Sequence, residues 1–259
     1  MTGVSLTRVI QHLDETLRVR DIPDYAGALN GLQLHSPRPV TRVAAAVDAS
    51  RLAIEGAIAD GASLLLVHHG LFWGGARRIV GPMYERLAPC FANGLAVYAA
   101  HLPLDCHPTF GNNPLFARAL GLQPSEGFGQ YQAVAVGVAG QADITTSELV
   151  ARARTFATAR GGGVIVAGAV EGKRTLRWAI ITGAGASSDS LREATATGVD
   201  TLIVGEGPHH TAVEAAELGL TVIYAGHYAT ETLGVCALAA HVEQVFGLPW
   251  SFISAPTGL

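Results

Sequence analysis

Two stretches of the chain, DGASLLLVHHG (60–70) and TGVDTLIVGEG (197–207), follow one pattern: Gly61, Leu65, Val67 and Gly70 fall on Gly198, Leu202, Val204 and Gly207. A second pair follows in the same order. In AVYAAHLPLD (96–105) and VIYAGHYATE (222–231), Tyr98, Ala99 and His101 fall on Tyr224, Ala225 and His227, and Asp105 falls on Glu231. Two matched pairs in one order point to an internal duplication. Each matched stretch is a short apolar run of strand length that stops at glycine or polar residues. The chain must therefore build two similar α/β halves rather than one continuous helical or all-β body.

The rest of the sequence fills in that frame. Residues 5–19 have helical periodicity, and residues 21–39, rich in Pro, Gly and Asn, predict a loop. VTRVAAAVDAS (40–50), SLLLVHH (63–69) and LAVYAAH (95–101) predict strands, with helices at 51–61 and 82–94 between them and another over NPLFARALG (113–121). Further on, QYQAVAVGVAG, GGGVIVAGAV, TLRWAIITGAG, TLIVGEG and LTVIYAGH predict strands. Helices are expected after Thr145, with Glu148 completing a capping box, over DSLREATATG, over TAVEAAELG and at about 231–246. Strands alternating with helices imply mostly parallel sheets. The expected fold is α/β, in two related halves at 1–126 and 127–259, with the C-terminal helix able to return to the first half.

Charged residues make up only 15% of the 259 residues and apolar ones 49%, against about 25% charged in average soluble domains. The chain can bury a large core and has little charge to cover its surface. Its net charge is −4, and Arg77-Arg78 and Lys173-Arg174 are the paired cations, which speaks against nucleic-acid binding over a broad phosphate-contacting face. Cys90, Cys106 and Cys236 form neither a CxxC motif nor a disulfide framework. No apolar run approaches the roughly 18 residues of a membrane span, so a cytoplasmic protein is expected. Low charge also favours self-association, with LFWGG at Trp73 and LPWSFIS at Trp250 and Phe252 as apolar candidates for interfaces.

The histidines carry the chemistry. His68-His69 ends a buried strand, and His101-x3-Asp105 and His227-x3-Glu231 each follow one. In open α/β sheets ligands bind at the carboxyl ends of strands. A set of imidazoles and carboxylates without thiolates suits Zn, Mn, Fe or Co. Adjacent histidines on an extended segment point to opposite sides, so the pair can serve two neighbouring ions, or one ion and a partner behind it; Asp105 and Glu231, either able to bridge two ions, favour the dinuclear arrangement. Glu206, opposite the histidine pair in the repeat, is a candidate base or a partner to a ligand. His209 and His210 are candidates for ligands or substrate contacts but read more simply as helix-start residues, and His12, His35, His107 and His241 have no such company in sequence.

At NGLQ (30–33), LLVHHGLFW (65–73), AAHLPLD (99–105) with GNN (111–113), VGEG (204–207) and AGHYATETLGV (225–235), the chain resembles the NIF-three-like family. That family is also labelled GTP cyclohydrolase 1 type 2 homologue or dinuclear metal centre protein. The resemblance implies two related halves with a two-metal site between them, and a ring-like homohexamer. Carried over, the ligands are His68, His69, Asp105, His227 and Glu231, holding two divalent ions per chain, with His101 standing behind them. The chain departs from the family in reading ALN at 28–30, where an aromatic and an acid are frequent. It also lacks the inserted domain of longer members, and 128–170 carries no site.

Two functional classes stay open: a metal-dependent hydrolase of GTP cyclohydrolase-like or phosphoesterase-like chemistry acting on a small molecule, and a non-catalytic metal-binding or scaffold protein. The label implies action on GTP, yet the sequence has no P-loop, and Arg77 and Arg78 are the nearest paired cations to the histidine motif.

Overall fold

The structure, a computed structural model, describes residues 3–75 and 77–259. The chain divides into two compact units, Met1–Phe110 with Gly234–Ala255, and Gly111–Leu233 with Pro256–Leu259. In chain order the elements begin with α1 (Leu6–Leu17), β1 (Gly31–Leu34), β2 (Val43–Asp48), α2 (Arg51–Ala59), β3 (Leu64–His69), α3 (Pro82–Asn93), β4 (Ala96–Ala99) and the single turn α4 (Leu102–Asp105). There follow α5 (Asn112–Ala119), β5 (Glu126–Tyr131), β6 (Val134–Thr145), α6 (Thr146–Thr158), β7 (Ile165–Ala167), β8 (Arg174–Ile181), α7 (Ser188–Ala196), β9 (Thr201–Val204), α8 (His209–Glu217) and β10 (Thr221–Tyr224). Last come α9 (His227–Phe246) and β11 (Trp250–Phe252). No helix among the described residues is long and apolar enough to cross a membrane.

The first unit holds a five-stranded sheet in the order β1-β4-β3-β2-β11. β11, β2, β3 and β4 are parallel, and β1 closes one edge antiparallel to β4. The central strands VAAAVD and LLLVHH are buried along nearly their whole length, as strands covered on both faces must be. α1 presents Leu6, Val9, Ile10, Leu13 and Leu17 on one stripe, the i, i+3, i+4, i+7 spacing of a helix lying on a core. Those residues join Val43, Leu64, Leu66, Tyr98 and, from α9, Leu238 and Val242 in one cluster. Trp250 and Phe252 pack against the same cluster.

The second unit holds a six-stranded mixed sheet, β5-β6-β8-β9-β10-β7. β8, β9 and β10 are parallel, and β7 closes an edge antiparallel to β10. The sequence β2-β3-β4 with antiparallel β1 thus has a counterpart in β8-β9-β10 with antiparallel β7, and β3 matches β9 and β4 matches β10 as in the aligned motifs. β5 and β6 add a hairpin over 126–145. Thr145 caps α6 by accepting from the Glu148 backbone N–H.

Four elements depart from the sequence reading. The division falls after Phe110 rather than at 126, because α5 places Phe116 and Ala117 in the core around Trp178, Ile180 and Ile203. β1 forms inside the segment expected to be a loop; its Leu34 is buried and its backbone completes the sheet edge. α9 starts at His227, not near 231, so the second His-x3-acid motif is itself helical. The fourth departure concerns histidines without company in the sequence. His12 of α1 and His241 of α9 meet with Nε2 atoms 2.9 Å apart, flanked by Phe246 and Phe110.

That histidine pair has a pH consequence. Burial and then the neighbouring His12 hold the His241 imidazole below its ordinary pKa, and burial and then His241 do the same to His107. A histidine kept neutral by the fold contributes its full stability above the unfolded value of about 6.5 and loses it as pH falls below that value. Thermal unfolding at pH 7.5 and 5.5 should therefore show a smaller drop in Tm for His241→Asn than for the unsubstituted chain; equal drops would show that the pair carries none of the pH dependence.

Candidate metal centre

The first unit gathers three imidazoles. His68 and His69 end β3, His101 follows β4, and one nitrogen from each lies within 4.8 Å of the others. Strict alternation would send His68 and His69 to opposite faces, but their ring centroids are 4.8 Å apart. At the last residues of a strand, side chains that lean along the strand can converge past its end. His101, expected behind the ligands, stands beside them, with its ring 4.9 Å from that of His68. α4 is a single turn that begins just after His101, and it carries Asp105 one turn further on, where a carboxylate oxygen lies 3.5 Å from His68 Nε2. Asp105 and His68 are both buried.

Every one of these rings is held at Nδ1 by an acceptor. His68 Nδ1 donates to the Ala100 carbonyl at 2.9 Å, His69 Nδ1 to Asp48 at 2.9 Å, and His101 Nδ1 to Asp24 at 2.8 Å. Because carbonyl and carboxylate oxygens only accept, each Nδ1 bears a proton. Metal-ligating histidines are fixed in this way.

Asp24 anchors a wider network. It also accepts from Asn30 Nδ2 at 2.8 Å and from the Leu102 backbone N–H at 3.0 Å, while Asn30 Oδ1 accepts from the His101 backbone N–H at 2.7 Å. Burial alone would raise the Asp24 pKa, but the hydrogen bond and charge of His101 outweigh it and hold the carboxyl below its ordinary value. Asn30 of NGLQ therefore positions His101, although the residues before it depart from the family pattern. Gln33 of the same motif accepts from the Leu71 N–H at 2.6 Å, and a side chain at Gly70 would strike it at 2.1 Å, which accounts for glycine after the histidine pair. Trp73 stands across His101 and His69, nearly perpendicular to both rings.

The second unit supplies His227 and Glu231, one turn apart at the start of α9, with His227 Nε2 and Glu231 Oε2 3.1 Å apart. Glu206, just after β9, accepts from His227 Nδ1 at 2.7 Å. Burial works against protonation of His227. Hydrogen bonds and charge from Glu231, then from Glu206, prevail and raise its pKa to about 9. Glu231 is buried, and Gly183, at φ +64°, leaves room for it: a Cβ there would lie 2.1 Å from Glu231 Oε1.

The donors suit a divalent transition metal: imidazole nitrogens with buried carboxylates beside them and no thiolate. Cys106, next to Asp105 in sequence, does not join them. Burial, then the charges of Asp105 and Asp24, push its thiol up to about 12. His209 and His210 are exposed at the start of α8. Asp24 and Asp48 are not legible as functional residues in the sequence. Asp48 has a weak signal, an acid ending a buried strand, and Asp24 has none beyond its nearness to NGLQ.

The sequence model of the Duf34/NIF3 family (NGG1p interacting factor 3) matches residues 4–257. The chain belongs to that family. A relative in Deinococcus radiodurans, called GTP cyclohydrolase 1 type 2 homolog, is 41% identical, over 97% of this chain and 93% of its own. One of the same name in Halobacterium salinarum is 42% identical, over 99% and 100%. Among solved structures, the protein ybgI, described as of unknown function, superposes with a TM-score of 0.89 at 31% identity, covering 99% of this chain and 100% of its own. TTHA1606 from Thermus thermophilus superposes at 0.81 with 37% identity and the same coverage.

One substitution tests the role of Gly183. Alanine there must adopt a left-handed backbone, at about 1–2 kcal/mol, and push on the Glu231 carboxylate. Gly183→Ala should lower stability by at least that amount in denaturant titration. It should also weaken metal binding more than Gly198→Ala, a left-handed glycine with nothing within 4 Å of its added Cβ. Equal effects of the two substitutions would separate Gly183 from the site.

Proposed function

We propose that the chain is a divalent-metal-dependent hydrolase of small molecules. Its ions are held by His68, His69 and Asp105 in the first unit and by His227 and Glu231 in the second, with His101 beside the first three as a further donor. The observation that supports this most strongly is the repeated pairing: four imidazoles, each with Nδ1 tied to an oxygen acceptor, and in each unit one of them, His68 or His227, with its Nε2 beside a buried carboxylate. Divalent ions bound there would supply Lewis acidity and lower the pKa of water. The chain's own residues set the stage for that chemistry. Asp48, Asp24 and Glu206 fix ring tautomers and orientations, and α4 and the first turn of α9 aim the two carboxylates. Glu206 is occupied with His227, so it acts as the orienting acceptor rather than as a general base. The names of the relatives suggest GTP as one substrate to try, with phosphoesters and cyclic amidines.

A non-catalytic metal-binding role is the second reading, favoured by the crevice at His68 and His101, whose lining among the described residues includes no Lys or Arg. Turnover decides between the two. Chain purified without chelator should carry about two divalent ions by mass spectrometry and hydrolyse at least one member of a panel of nucleotides, phosphoesters and amides. His68→Ala, Asp105→Ala and Glu231→Ala should each lower metal content and abolish turnover. Full metal content in all three variants would refute the ligand assignment, and metal without turnover across the panel would leave the binding role.

Protons compete with metal for imidazole. Zn or Mn affinity of the metal-free chain should therefore fall steeply between pH 7.5 and 5.5, the more so because His227 is held protonated by its two acids in the absence of metal. Equal affinities at the two pH values would remove the histidines from the ligand set.

Assembly into a homohexamer belongs to the same proposal. The exposed Leu52, Tyr84 and Phe91 on α2 and α3 are better candidates for its interfaces than Trp250 and Phe252, which pack on the chain's own core. Light scattering after size exclusion should give a multiple of 26.8 kDa; a single species at that mass would overturn it.

A further inference from the structure

Beside the imidazoles of the first unit lies a cleft of about 500 Å³ formed by the loop before β1 and the turn after β3. Its walls include Ala28, Leu29, Phe72 and Ile79, and among the described residues its one charged lining residue is Arg77. Ala28 and Leu29 also line the crevice that reaches His68, Trp73 and His101, so the cleft and the imidazole cluster share a wall. The Gly74 N–H donates to the Gly27 carbonyl at 3.1 Å, which ties the two loops together.

Two features of this cleft bear on what it can hold. Leu29 is 53% exposed and Ile79 55%, and Trp73, in the adjoining crevice, 40%, a concentration of apolar surface at and beside a concavity of a size typical for small-molecule sites. Arg77 is exposed and has no carboxylate within ion-pair distance among the described residues, so its guanidinium is available to a ligand in the cleft. A guanidinium fork matches an oxyanion bidentately. Apolar walls with one such cation select a ligand that is flat, apolar and anionic at one end.

We propose that this cleft binds an aromatic oxyanion, an aryl carboxylate or aryl phosphate, with the anion on Arg77 and the ring against Leu29, Phe72 and Ile79. The ligand then lies next to Trp73 and His101. On the hydrolase reading it is the substrate, and only that assignment rests on the reading; the binding itself does not.

The test uses the full chain and 8-anilinonaphthalene-1-sulfonate, an aromatic anion whose emission rises in apolar sites, with the neutral N-phenyl-1-naphthylamine as control. Arg77→Gln should weaken the sulfonate by about tenfold or more and leave the neutral probe unchanged. Leu29→Glu, which puts a carboxylate into the cleft, should weaken the sulfonate at least as much. Bound sulfonate should be displaced by 1-naphthyl phosphate or by 1-naphthoate, whichever the site prefers, and not by 1-naphthalenemethanol. His68→Ala should lose metal and keep the probe, so that failure of the metal assignment and failure of the cleft are read separately. Sulfonate affinity within twofold of the unsubstituted chain in both Arg77→Gln and Leu29→Glu overturns the proposal, as does equal displacement by the neutral alcohol.

Discussion

The parallel register of β2, β3 and β4 is the constraint on which the first unit's chemistry depends. Asp48 pairs with His69 across β2 and β3, and Val67 pairs with Ala99 across β3 and β4. Three strands running the same way end at one edge, so the residues that close them fall within a few ångströms of each other although they are far apart in sequence. An antiparallel sheet would have sent alternate strand ends to opposite edges. The buried runs VAAAVD and LLLVHH hold the register, because a slip would break a ladder that has no water to replace it.

Hydrogen bonding at Nδ1 then turns proximity into a site. An imidazole that merely lies near another can take either tautomer and rotate. With Nδ1 committed to Asp48, Asp24 or the Ala100 carbonyl, the direction of Nε2 is fixed before any ion arrives. That preorganisation costs stability elsewhere. Asp24 is nearly buried and needs four donors to stay ionised: the His101 ring, Asn30, and the N–H groups of Tyr25 and Leu102.

Much of this was legible because it rests on patterns that sequence carries directly. The run LLLVHH shows burial and a polar end together, and the two His-x3-acid motifs show a pair one helical turn apart. What stayed hidden depends on tertiary partners. β1 has four residues and owes its existence to the edge of β4. Asp24 sits in a Pro- and Gly-rich loop where an acid is unremarkable until His101 is seen against it. His12 and His241 are 229 positions apart, and no local pattern announces their meeting.

The two units also show what a shared pattern leaves open to change. In both, a histidine follows the third of three parallel strands and carries an acid one turn later: His101 with Asp105, His227 with Glu231. In both, that histidine's Nδ1 meets a carboxylate, but from different places. In the second unit the acceptor is Glu206, at the end of the adjacent strand. In the first, the matching position is His69, a donor itself, and the acceptor comes instead from Asp24 in the loop before β1. An imidazole replacing a carboxylate at that strand end removes the support for the neighbouring ring. The Asp24–Asn30 loop replaces the lost support, and this explains why the segment 24–33 holds its shape with little regular structure of its own.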